Sequence, residues 1–344
     1  MAPPPDSRAL GPIWPGRLAK LLACPLQVAF DQGVGDVRGG PASPSALVGT
    51  AIHRCIELLI GDSNLTVEQA WTNACDEMCS SGPDPREAPP ARRAVLRLQK
   101  RFPDLKALVD GHESTSDPLL EEELQSSDGL FQGQPDIVLI GRRTTIVDYK
   151  TGTATADGTV NPDYVNQLLL YSWLVADVLA TDQVDACLFS LRDGLIHVDV
   201  SPERRQEWAS TAKESIHQFE GAVPGPQPGN PSDTACEWCN HVLDCDDVWV
   251  AFEEGGVCDL GGGHAVEGVV TGAPTHARNG RSALSLEVER GTLTGHVMVC
   301  DLPTTTVLDY VDGLRIRATR LGQRSDEPIT LAWKDHRSRI AKVR

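Results

Sequence analysis

The sequence predicts an α/β protein in which helices flank a mixed β-sheet, followed by a small all-β domain. Over the first 250 residues, segments with helical periodicity alternate with short apolar runs that are typical of strands. Beyond residue 250, short alternating runs are separated by glycine-rich turns at nearly regular spacing, which is typical of a small β barrel or sandwich. A chain of 344 residues is long enough for one main domain and one smaller one.

The N-terminal part is predicted to be helical after a flexible arm. Residues 1–16 are rich in proline and glycine, so we expect an arm without regular structure. They also lack the basic-then-apolar order of a signal peptide, which predicts a cytoplasmic protein. The first helix is interrupted at Cys24-Pro25, because a proline ends or kinks a helix. The predicted helices span residues 17–30, 49–59, 66–79 and 90–102.

The middle of the chain supplies the predicted sheet. Apolar runs bounded by turn residues predict strands, and longer stretches with a period near 3.6 predict helices. A proline-rich stretch at 223–233 is expected to be a loop or linker. The strands are predicted at residues 119–125, 130–140, 144–150, 186–191 and 195–200, and the helices at about 162–180 and 202–219.

The C-terminal region is predicted to be a separate OB-like or SH3-like barrel. We place the domain boundaries at 1–16 for the arm, 17–250 for the main domain and 251–344 for the β domain. The basic residues near its end are compatible with a nucleic-acid-binding barrel or with a solvated tail on a structural domain. Its strands are expected at residues 265–270, 283–289, 294–299, 314–319 and 329–333.

The charge balance argues against simple binding to nucleic acid. The net charge is −17, whereas contacts to phosphate require lysine and arginine. Basic charge is nevertheless clustered, since from Arg315 onward there are nine basic and three acidic residues. The acidic total therefore weakens a nucleic-acid function without excluding it. No apolar run approaches the roughly 20 residues that span a membrane.

One stretch, from Gly133 to Gly152, carries the strongest chemical signal. Asp136 opens one apolar run, and Asp148 and Lys150 close a second. Because side chains alternate along a strand, Asp148 and Lys150 share one face. Two adjacent strands would bring two carboxylates and an ammonium together, and carboxylate oxygens suit Mg²⁺ or Mn²⁺. The alternative is two surface strands whose ends carry ordinary charges.

Two further patterns flank this stretch. His53 follows Gly-Thr-Ala-Ile at the start of a predicted helix, where a histidine of the helix surface or core is the simpler explanation. Gln167 and Tyr171 are four residues apart and therefore share one helical face, although they could simply belong to an amphipathic helix.

Three cysteines near the end of the main domain have the spacing of metal ligands. Cys236, Cys239 and Cys245 form a C-x₂-C-x₅-C pattern, and Cys24 is a fourth candidate far upstream. Thiolates at such spacing fit an iron–sulfur cluster or Zn²⁺, with His241 as a substitute ligand for zinc. The alternative is that three cysteines lie in one loop by chance. The remaining cysteines are expected to be buried thiols: Cys55, Cys75, Cys79, Cys187, Cys258 and Cys300.

In their order along the chain, these motifs resemble the PD-(D/E)XK nuclease superfamily in its RecB-like branch. The resemblance covers residues 17–250 and implies a restriction-endonuclease-like fold. It implies that His53, Asp136, Asp148 and the Tyr149 carbonyl bind the metal, and that Lys150 positions the attacking water. Gln167 and Tyr171 would help to position the site or the strand. The branch usually has an aliphatic residue where Pro135 precedes Asp136, a mild departure.

A frequently acidic position of this branch matches Glu123, although Glu121 and Glu122 compete for it. The cysteines are similar to the 4Fe–4S ligands of AddB nucleases and of CRISPR-associated RecB-like exonucleases, where one cysteine precedes the nuclease core and three follow it. The four would be Cys24, Cys236, Cys239 and Cys245.

The resemblance implies a Mg²⁺- or Mn²⁺-dependent deoxyribonuclease, acting as an exonuclease on single-stranded DNA or DNA ends. A helicase or another DNA-processing protein is the implied partner, and no membrane is involved. Two other classes stay open on the sequence. One is a non-catalytic DNA-binding or assembly module with the same fold, and the other is a structural protein stabilised by zinc.

Overall fold

A computed structural model describes residues 10–34, 43–79, 82–221, 229–237, 239–257, 260–261, 263–334 and 337–343. The chain divides into two compact units. The mixed-sheet unit contains the described residues of 9–19 and 42–220, and the barrel unit contains those of 20–41 and from 221 onward. The predicted domain boundary at residue 250 stays a prediction.

Most of the observed helices lie where the sequence predicts them. The break at Cys24 separates α1 from α2, as the following proline predicts. Helix α3 begins after Ser43, whose side chain accepts a hydrogen bond from the Ala46 amide, with Pro44 in the first turn. The helices are α1 (Pro15–Ala23), α2 (Pro25–Val34), α3 (Pro44–Gly61), α4 (Val67–Cys79), α5 (Ala91–Gly111), α6 (Pro162–Val178), α7 (Pro202–Gly221), α8 (Asp233–Glu237) and α9 (Asp246–Glu254).

Helix α5 is longer than predicted. It continues through Pro103 for nine residues beyond the expected end at residue 102. Leu98 and Leu105 are both fully buried and lie seven residues apart, on one face of the helix. Burial of that face extends the helix past the point at which the local sequence predicts a stop.

The sheet of the mixed-sheet unit has five strands in the order β1-β4-β5-β8-β9. Strand β5 is central and buried, antiparallel to β4 and parallel to β8. Helix α6 forms the crossover that the parallel pair requires. The strands of this unit are β1 (Leu119–Leu120), β2 (Leu124–Gln125), β3 (Gln132–Gly133), β4 (Ile137–Leu139), β5 (Thr144–Lys150), β6 (Thr155–Ala156), β7 (Thr159–Val160), β8 (Val184–Ser190) and β9 (Gly194–Val198).

Two of the predicted strands are each divided in two. The predicted strand 119–125 becomes β1 and β2, and 130–140 becomes β3 and β4. Glu121 has a left-handed backbone with φ of 50°, which interrupts the extended chain between β1 and β2. Strands β2 and β3 then pair with each other in a separate two-stranded sheet.

The flexible arm predicted for residues 1–16 is wrong at its C-terminal end. Leu10 and Ile13 are buried, with 4% and 0% of their surface exposed. The Ile13 amide donates to Leu130 O at 2.9 Å, and its carbonyl accepts from the Gln132 amide at 3.1 Å. Burial of these two apolar side chains orders the segment despite its proline and glycine content. Residues 1–9 lie outside the described residues.

The barrel unit confirms the predicted small β barrel. Strand β10 pairs with both β12 and β14, which closes the sheet. Around the barrel the order is β10-β12-β13-β15-β14, and β13 runs parallel to β15. The strands are β10 (His264–Val270), β11 (Thr275–His276), β12 (Arg281–Gly291), β13 (Gly295–Pro303), β14 (Arg315–Asp326), β15 (Ile329–Ala332) and β16 (Arg339–Lys342).

The basic C-terminal segment is a strand and not a free tail. Strand β16 pairs with β14 in antiparallel register, with Ala318 opposite Ile340. Lys342 forms an ion pair with Asp309. The isolated basic residues gave no strand signal, because the edge pairing is decided by the partner strand.

Among the residues described, no helix is both long enough and apolar enough to cross a membrane.

Candidate metal centre and cysteine pocket

Asp136 and Asp148 lie opposite each other on adjacent strands. Ile137 pairs with Val147 in the antiparallel register of β4 and β5. Asp136, which precedes Ile137, therefore faces Asp148, which follows Val147. Both carboxylates are buried, with 6% and 2% of the residue surface exposed. The Tyr149 amide donates a hydrogen bond to Asp136 Oδ2. The two acids are therefore held together by strand pairing.

His53 joins them from helix α3. Its Nδ1 lies 3.1 Å from Asp136 Oδ1 and 3.5 Å from Glu121 Oε1. Ligand atoms of these three side chains all fall within 4.8 Å of one another, close enough to share one cation. The His53 ring contacts the edge of the buried Tyr149 ring at a centroid distance of 5.3 Å. We call His53, Glu121, Asp136 and Asp148 the candidate metal centre.

Glu121 is the acid that the sequence interpretation did not favour. Glu122 and Glu123 are exposed, whereas Glu121 is half-buried beside His53. Leu120 pairs with Ile137, so Glu121 comes next to Asp136 in the same register, and its amide donates to Asp136 O at 3.2 Å. No local signal in the sequence distinguishes Glu121 from its two neighbours, because the choice depends on this register.

Lys150, Gln167 and Tyr171 form one hydrogen-bonded chain. Lys150 Nζ is ion-paired with Asp148 and donates to Gln167 Oε1 at 3.0 Å. Gln167 Nε2 in turn lies 3.1 Å from the Tyr171 hydroxyl. The Lys150 ammonium also lies 4.7 Å from the centre of the Tyr164 ring. Their placement on a strand end and one helical face agrees with the predicted spacing.

The glycine of Gly-Gln-Pro-Asp is required by this packing. A Cβ atom at Gly133 would lie 2.8 Å from a ring carbon of Tyr171 and 3.1 Å from Leu174. Real side chains do not approach so closely, and the neighbour here is a large ring. Gly133 thus lets α6 bring Tyr171 close to the strand region that precedes Asp136.

The electrostatics of the centre show a shortage of positive charge. Burial and the nearby Asp136 carboxylate raise the pKa of Asp148 to about 7, although Lys150 opposes the shift. Burial also raises the pKa of Glu121. Burial lowers the pKa of His53, but hydrogen bonds to Asp136 and Glu121 outweigh it and raise the pKa to about 10. Without a cation, the site favours bound protons.

The donor set fits a hard divalent cation. Three carboxylates and one imidazole suit Mg²⁺ or Mn²⁺ better than a soft metal. Asp148 Oδ2 is buried, and apart from its ion pair with Lys150 it has no hydrogen-bond partner among the described residues. A cation bound by these oxygens would supply the missing charge. The Tyr149 carbonyl, predicted as a backbone ligand, lies between Asp148 and Lys150 on β5.

Four cysteines line one apolar cavity in the barrel unit. Cys24 lies between α1 and α2, Cys236 is in α8, and Cys245 precedes α9. The Cys24 sulfur accepts a hydrogen bond from the Asn230 amide at 3.4 Å. We call this group, completed by Cys239, the cysteine pocket. Residues separated by more than 200 positions in the chain thus lie together, as the upstream and downstream pattern predicts.

Three cysteines of the cysteine pocket are buried, and the fourth, Cys245, is half-buried. Burial raises the pKa of Cys239 to about 12 and that of Cys245 to about 11, and it also raises the pKa of Cys236. A bound metal reverses this preference, because its charge favours the thiolate.

His241 also lines this cavity, but its ring is already engaged. Nε2 lies 2.6 Å from Asp31 Oδ1, and the ring stacks on Phe30 at 5.1 Å. This arrangement favours the four thiols over His241 as ligands.

The remaining described cysteines are free thiols outside the pocket. Cys55, Cys75 and Cys187 are buried as predicted, whereas Cys79 and Cys300 are only half-buried. The expectation of burial is wrong for these two, and Cys258 lies outside the described residues.

Comparison with known proteins identifies the superfamily. A sequence model of the PD-(D/E)XK nuclease superfamily matches residues 14–246, and the chain belongs to this superfamily. Membership implies a hydrolase that acts on nucleic acid and uses a divalent metal. No curated protein matches the chain. A solved structure described as the crystal structure of SSO0001 is 14% identical and covers 69% of this chain and 87% of its own, with a TM-score of 0.32.

Proposed function

We propose that this protein is a Mg²⁺- or Mn²⁺-dependent DNA nuclease of the RecB-like branch. The observation that carries the proposal is the convergence of three ligand side chains, those of His53, Glu121 and Asp136, beside the Asp148–Lys150 pair at the end of β5. Membership of the nuclease superfamily supports it. By resemblance, the substrate is single-stranded DNA or a DNA end and the activity that of an exonuclease, working with a helicase or another DNA-processing protein.

Each residue of the centre has a chemical role in this proposal. His53, Glu121 and Asp136, whose ligand atoms lie together, would hold the cation with Asp148 from the adjacent strand, and the Tyr149 carbonyl would be a backbone ligand. The cation supplies Lewis-acid chemistry, which lowers the pKa of a water and offsets the charge of the phosphate.

Lys150 acts beside the ligands. Its ammonium donates hydrogen bonds to the attacking water or to charge that develops on the phosphate oxygens. Gln167 holds that ammonium through the 3.0 Å hydrogen bond, and Tyr171 holds Gln167. The chain of contacts limits the directions in which Lys150 can point, and such positioning lowers the entropic cost of the reaction.

An open groove leads to the centre from the side of α3 and α4. His53 and Glu121 lie in its wall beside Arg54, whose guanidinium is bound by Glu57 and Glu77. The groove is acidic, so a phosphate backbone would be repelled unless a cation were present. We therefore expect DNA binding at this groove to depend on the metal as strongly as cleavage does.

We also propose that the cysteine pocket binds a 4Fe–4S cluster through Cys24, Cys236, Cys239 and Cys245. Four thiols around one cavity, three of them buried and that of Cys245 half-buried, support a soft-metal centre, and the engaged His241 favours an all-cysteine ligand set. Zinc with the same four ligands is the second candidate. A cluster would connect Cys24 with the three late cysteines.

The nuclease proposal is tested by digestion of 5′- and 3′-labelled single- and double-stranded DNA with added Mg²⁺ or Mn²⁺. We expect Asp148→Ala and Lys150→Ala each to abolish cleavage, a loss of at least about 100-fold, while the far-UV circular dichroism stays unchanged. The matched control is Lys106→Ala, because Lys106 is a helical surface lysine that forms an ion pair with Asp110.

Cleavage by either site variant at the wild-type rate would refute the site. Wild-type protein that binds labelled DNA without cutting it, under every metal condition, would instead favour a non-catalytic DNA-binding or assembly module.

The cluster proposal is tested on anaerobically purified protein. A 4Fe–4S centre is expected to give broad absorbance near 400 nm together with bound iron and acid-labile sulfide. If the protein is colourless and contains one zinc ion, the cysteine pocket is a structural zinc site and the cluster proposal is wrong.

A further inference from the structure

Two largely buried arginines of strand β14 have different kinds of partner. Arg317 is paired with the carboxylates of Glu267 and Asp246, at 2.7 and 3.2 Å. Arg320 is 7% exposed, yet within the described part of the chain no carboxylate forms an ion pair with it. A buried charge without a counter-charge is strongly unfavourable. The surroundings of Arg320 therefore call for an anion.

The guanidinium of Arg320 binds the backbone that carries two of the cysteines of the pocket. Its Nη2 donates to Cys239 O at 2.7 Å and to Cys236 O at 3.4 Å, and its Nε donates to Glu237 O at 3.0 Å. These three carbonyls belong to the turn that carries the first two cysteines. Because the guanidinium is a rigid planar fork, it fixes the carbonyls relative to one another.

The backbone of Arg320 is held in an uncommon conformation that aims the side chain. Its φ is 57°, in the left-handed region, where the β10–β14 register shifts by one residue. Ser338, which is fully buried, donates its hydroxyl to Arg320 O at 2.9 Å. Gly263 passes so close that a Cβ there would lie 2.7 Å from the Arg320 Cα. Neighbours on both sides thus maintain the bulge.

We propose that Arg320 is a positioning residue of the metal centre in the cysteine pocket, and that it supplies the counter-charge of that centre. Four thiolates around a dication, whether a 4Fe–4S core or Zn²⁺, carry a net charge of about −2. The Arg320 guanidinium compensates part of this charge and fixes the Cys236–Cys239 turn. The inference rests on the proposed occupancy of the pocket.

A consequence is that the C-terminal barrel forms part of the centre. Residues 17–250 contain all four cysteines but not Arg320. The cation next to the thiolates stabilises the more negative, reduced state of a cluster, so its loss shifts the reduction potential to more negative values. Loss of the contacts to the turn speeds release of the metal.

The experiment uses the full chain purified without oxygen, with the variants Arg320→Gln, Arg320→Lys and Arg315→Gln. Arg315 is the control, because it lies on the same strand but is paired with Glu267 and Glu289. Iron, sulfide and zinc per chain, the rate of metal release to a chelator and the reduction potential are measured. Circular dichroism verifies that each variant is folded.

We expect Arg320→Gln to release its metal about 10–100-fold faster than wild type, and any remaining cluster to have a more negative potential. Arg320→Lys keeps the charge but not the fork, so its release is faster while its potential stays near that of wild type. This pattern separates the charge from a purely structural role, and if Arg320→Gln does not fold, the lysine variant still provides both measurements. Arg315→Gln should match wild type in both.

The outcomes separate this inference from the proposed cluster. If wild-type protein contains zinc, the cluster proposal is wrong but the inference about Arg320 stands, and the rate of zinc release then tests it. If wild type is loaded with metal and Arg320→Gln releases its metal at the same rate and has the same potential, the inference about Arg320 is wrong and the proposed metal centre stands. Wild type with neither iron nor zinc overturns both.

Discussion

The candidate metal centre and the cysteine pocket differ in where their charge is balanced. In the mixed-sheet unit, three carboxylates lie beside Lys150 of strand β5 and His53 of helix α3, and these side chains offset part of the negative charge. In the barrel unit, four thiols line an apolar cavity, and Arg320, from a strand far along the chain, donates hydrogen bonds to the carbonyls of the turn that carries two of them. Adjacent strands together with helix α3 assemble the first site, whereas segments more than 200 residues apart assemble the second.

This contrast predicts different consequences of mutation. A centre built by strand pairing keeps its backbone when a side chain is removed, so activity should fall while stability changes little. A pocket closed by distant segments depends on its occupant, since bound metal contributes directly to folding. The following predictions test that distinction.

The largest effect on stability is expected for Cys24→Ser. Cys24 is the one candidate ligand that comes from before the nuclease motifs, so its loss should reduce bound iron at least about tenfold and lower the melting temperature. Iron analysis and thermal unfolding measure both quantities. Cys300→Ser is the control, because Cys300 is a half-buried thiol of the same unit outside the pocket. Full iron content in Cys24→Ser would remove it from the ligand set.

A smaller effect should distinguish Glu121 from Glu123. We expect Glu121→Gln to reduce cleavage about 10–100-fold and to raise the Mg²⁺ concentration that gives the half-maximal rate, because one carboxylate of the group is lost. Glu123→Gln makes the same chemical change at an exposed position and should stay within about twofold of wild type. Metal titrations of the two variants compare them directly, and the reverse order would restore Glu123 to the site.

The pKa of Asp148 predicts how stability depends on pH in protein freed of metal by chelation. Its pKa is raised from 3.8 to about 7 in the folded state, so the folded protein binds the extra proton between these values. The contribution of Asp148 to the free energy of unfolding is present below about pH 4 and is lost as the pH rises through 7. The effect is on the order of 1–4 kcal/mol. Asp148→Asn should flatten that decline in melting temperature.

Addition of Mg²⁺ at pH 8 should stabilise wild type, because the cation replaces the missing positive charge, and should stabilise Asp148→Asn less. The raised pKa of His53 adds a decline in stability toward higher pH, and both proteins share it. The difference between their melting temperatures therefore reports on Asp148. Identical profiles for the two proteins from pH 5 to 8 would contradict the assignment.

The smallest effect is expected for Tyr171→Phe. It removes the hydroxyl that contacts Gln167 but keeps the ring that packs beside Gly133. One hydrogen bond contributes about 0.5–1.5 kcal/mol, so cleavage should fall about 2–10-fold. Tyr164→Phe is the matched control, since the ring that faces Lys150 is retained and the rate should not change. Single-turnover rates resolve a difference of this size.

Much of the candidate metal centre could be predicted because it follows from local periodicity. Alternation along β5 puts Asp148 and Lys150 on one face, and the spacing of four along α6 puts Gln167 and Tyr171 on one helical face. The break between α1 and α2 follows in the same way from Pro25. Each of these depends only on residues close in the sequence.

Other features depend on partners that the local sequence does not name. The choice of Glu121 over Glu123 depends on the β1–β4 register and a left-handed backbone. The order of Ile13 depends on its bridge to Phe131, and strand β16 exists because β14 presents an unpaired edge to it.

The sequence by itself determined the superfamily motifs, the strands and helices that carry them, and the cysteine spacing. The tertiary structure alone decided which glutamate lies beside His53 and which arginine lies against the cysteine turn. Chain periodicity fixes where a side chain points on its own element, whereas register and burial fix what it meets. That is why Arg320, 81 residues beyond Cys239, had no signal in the sequence.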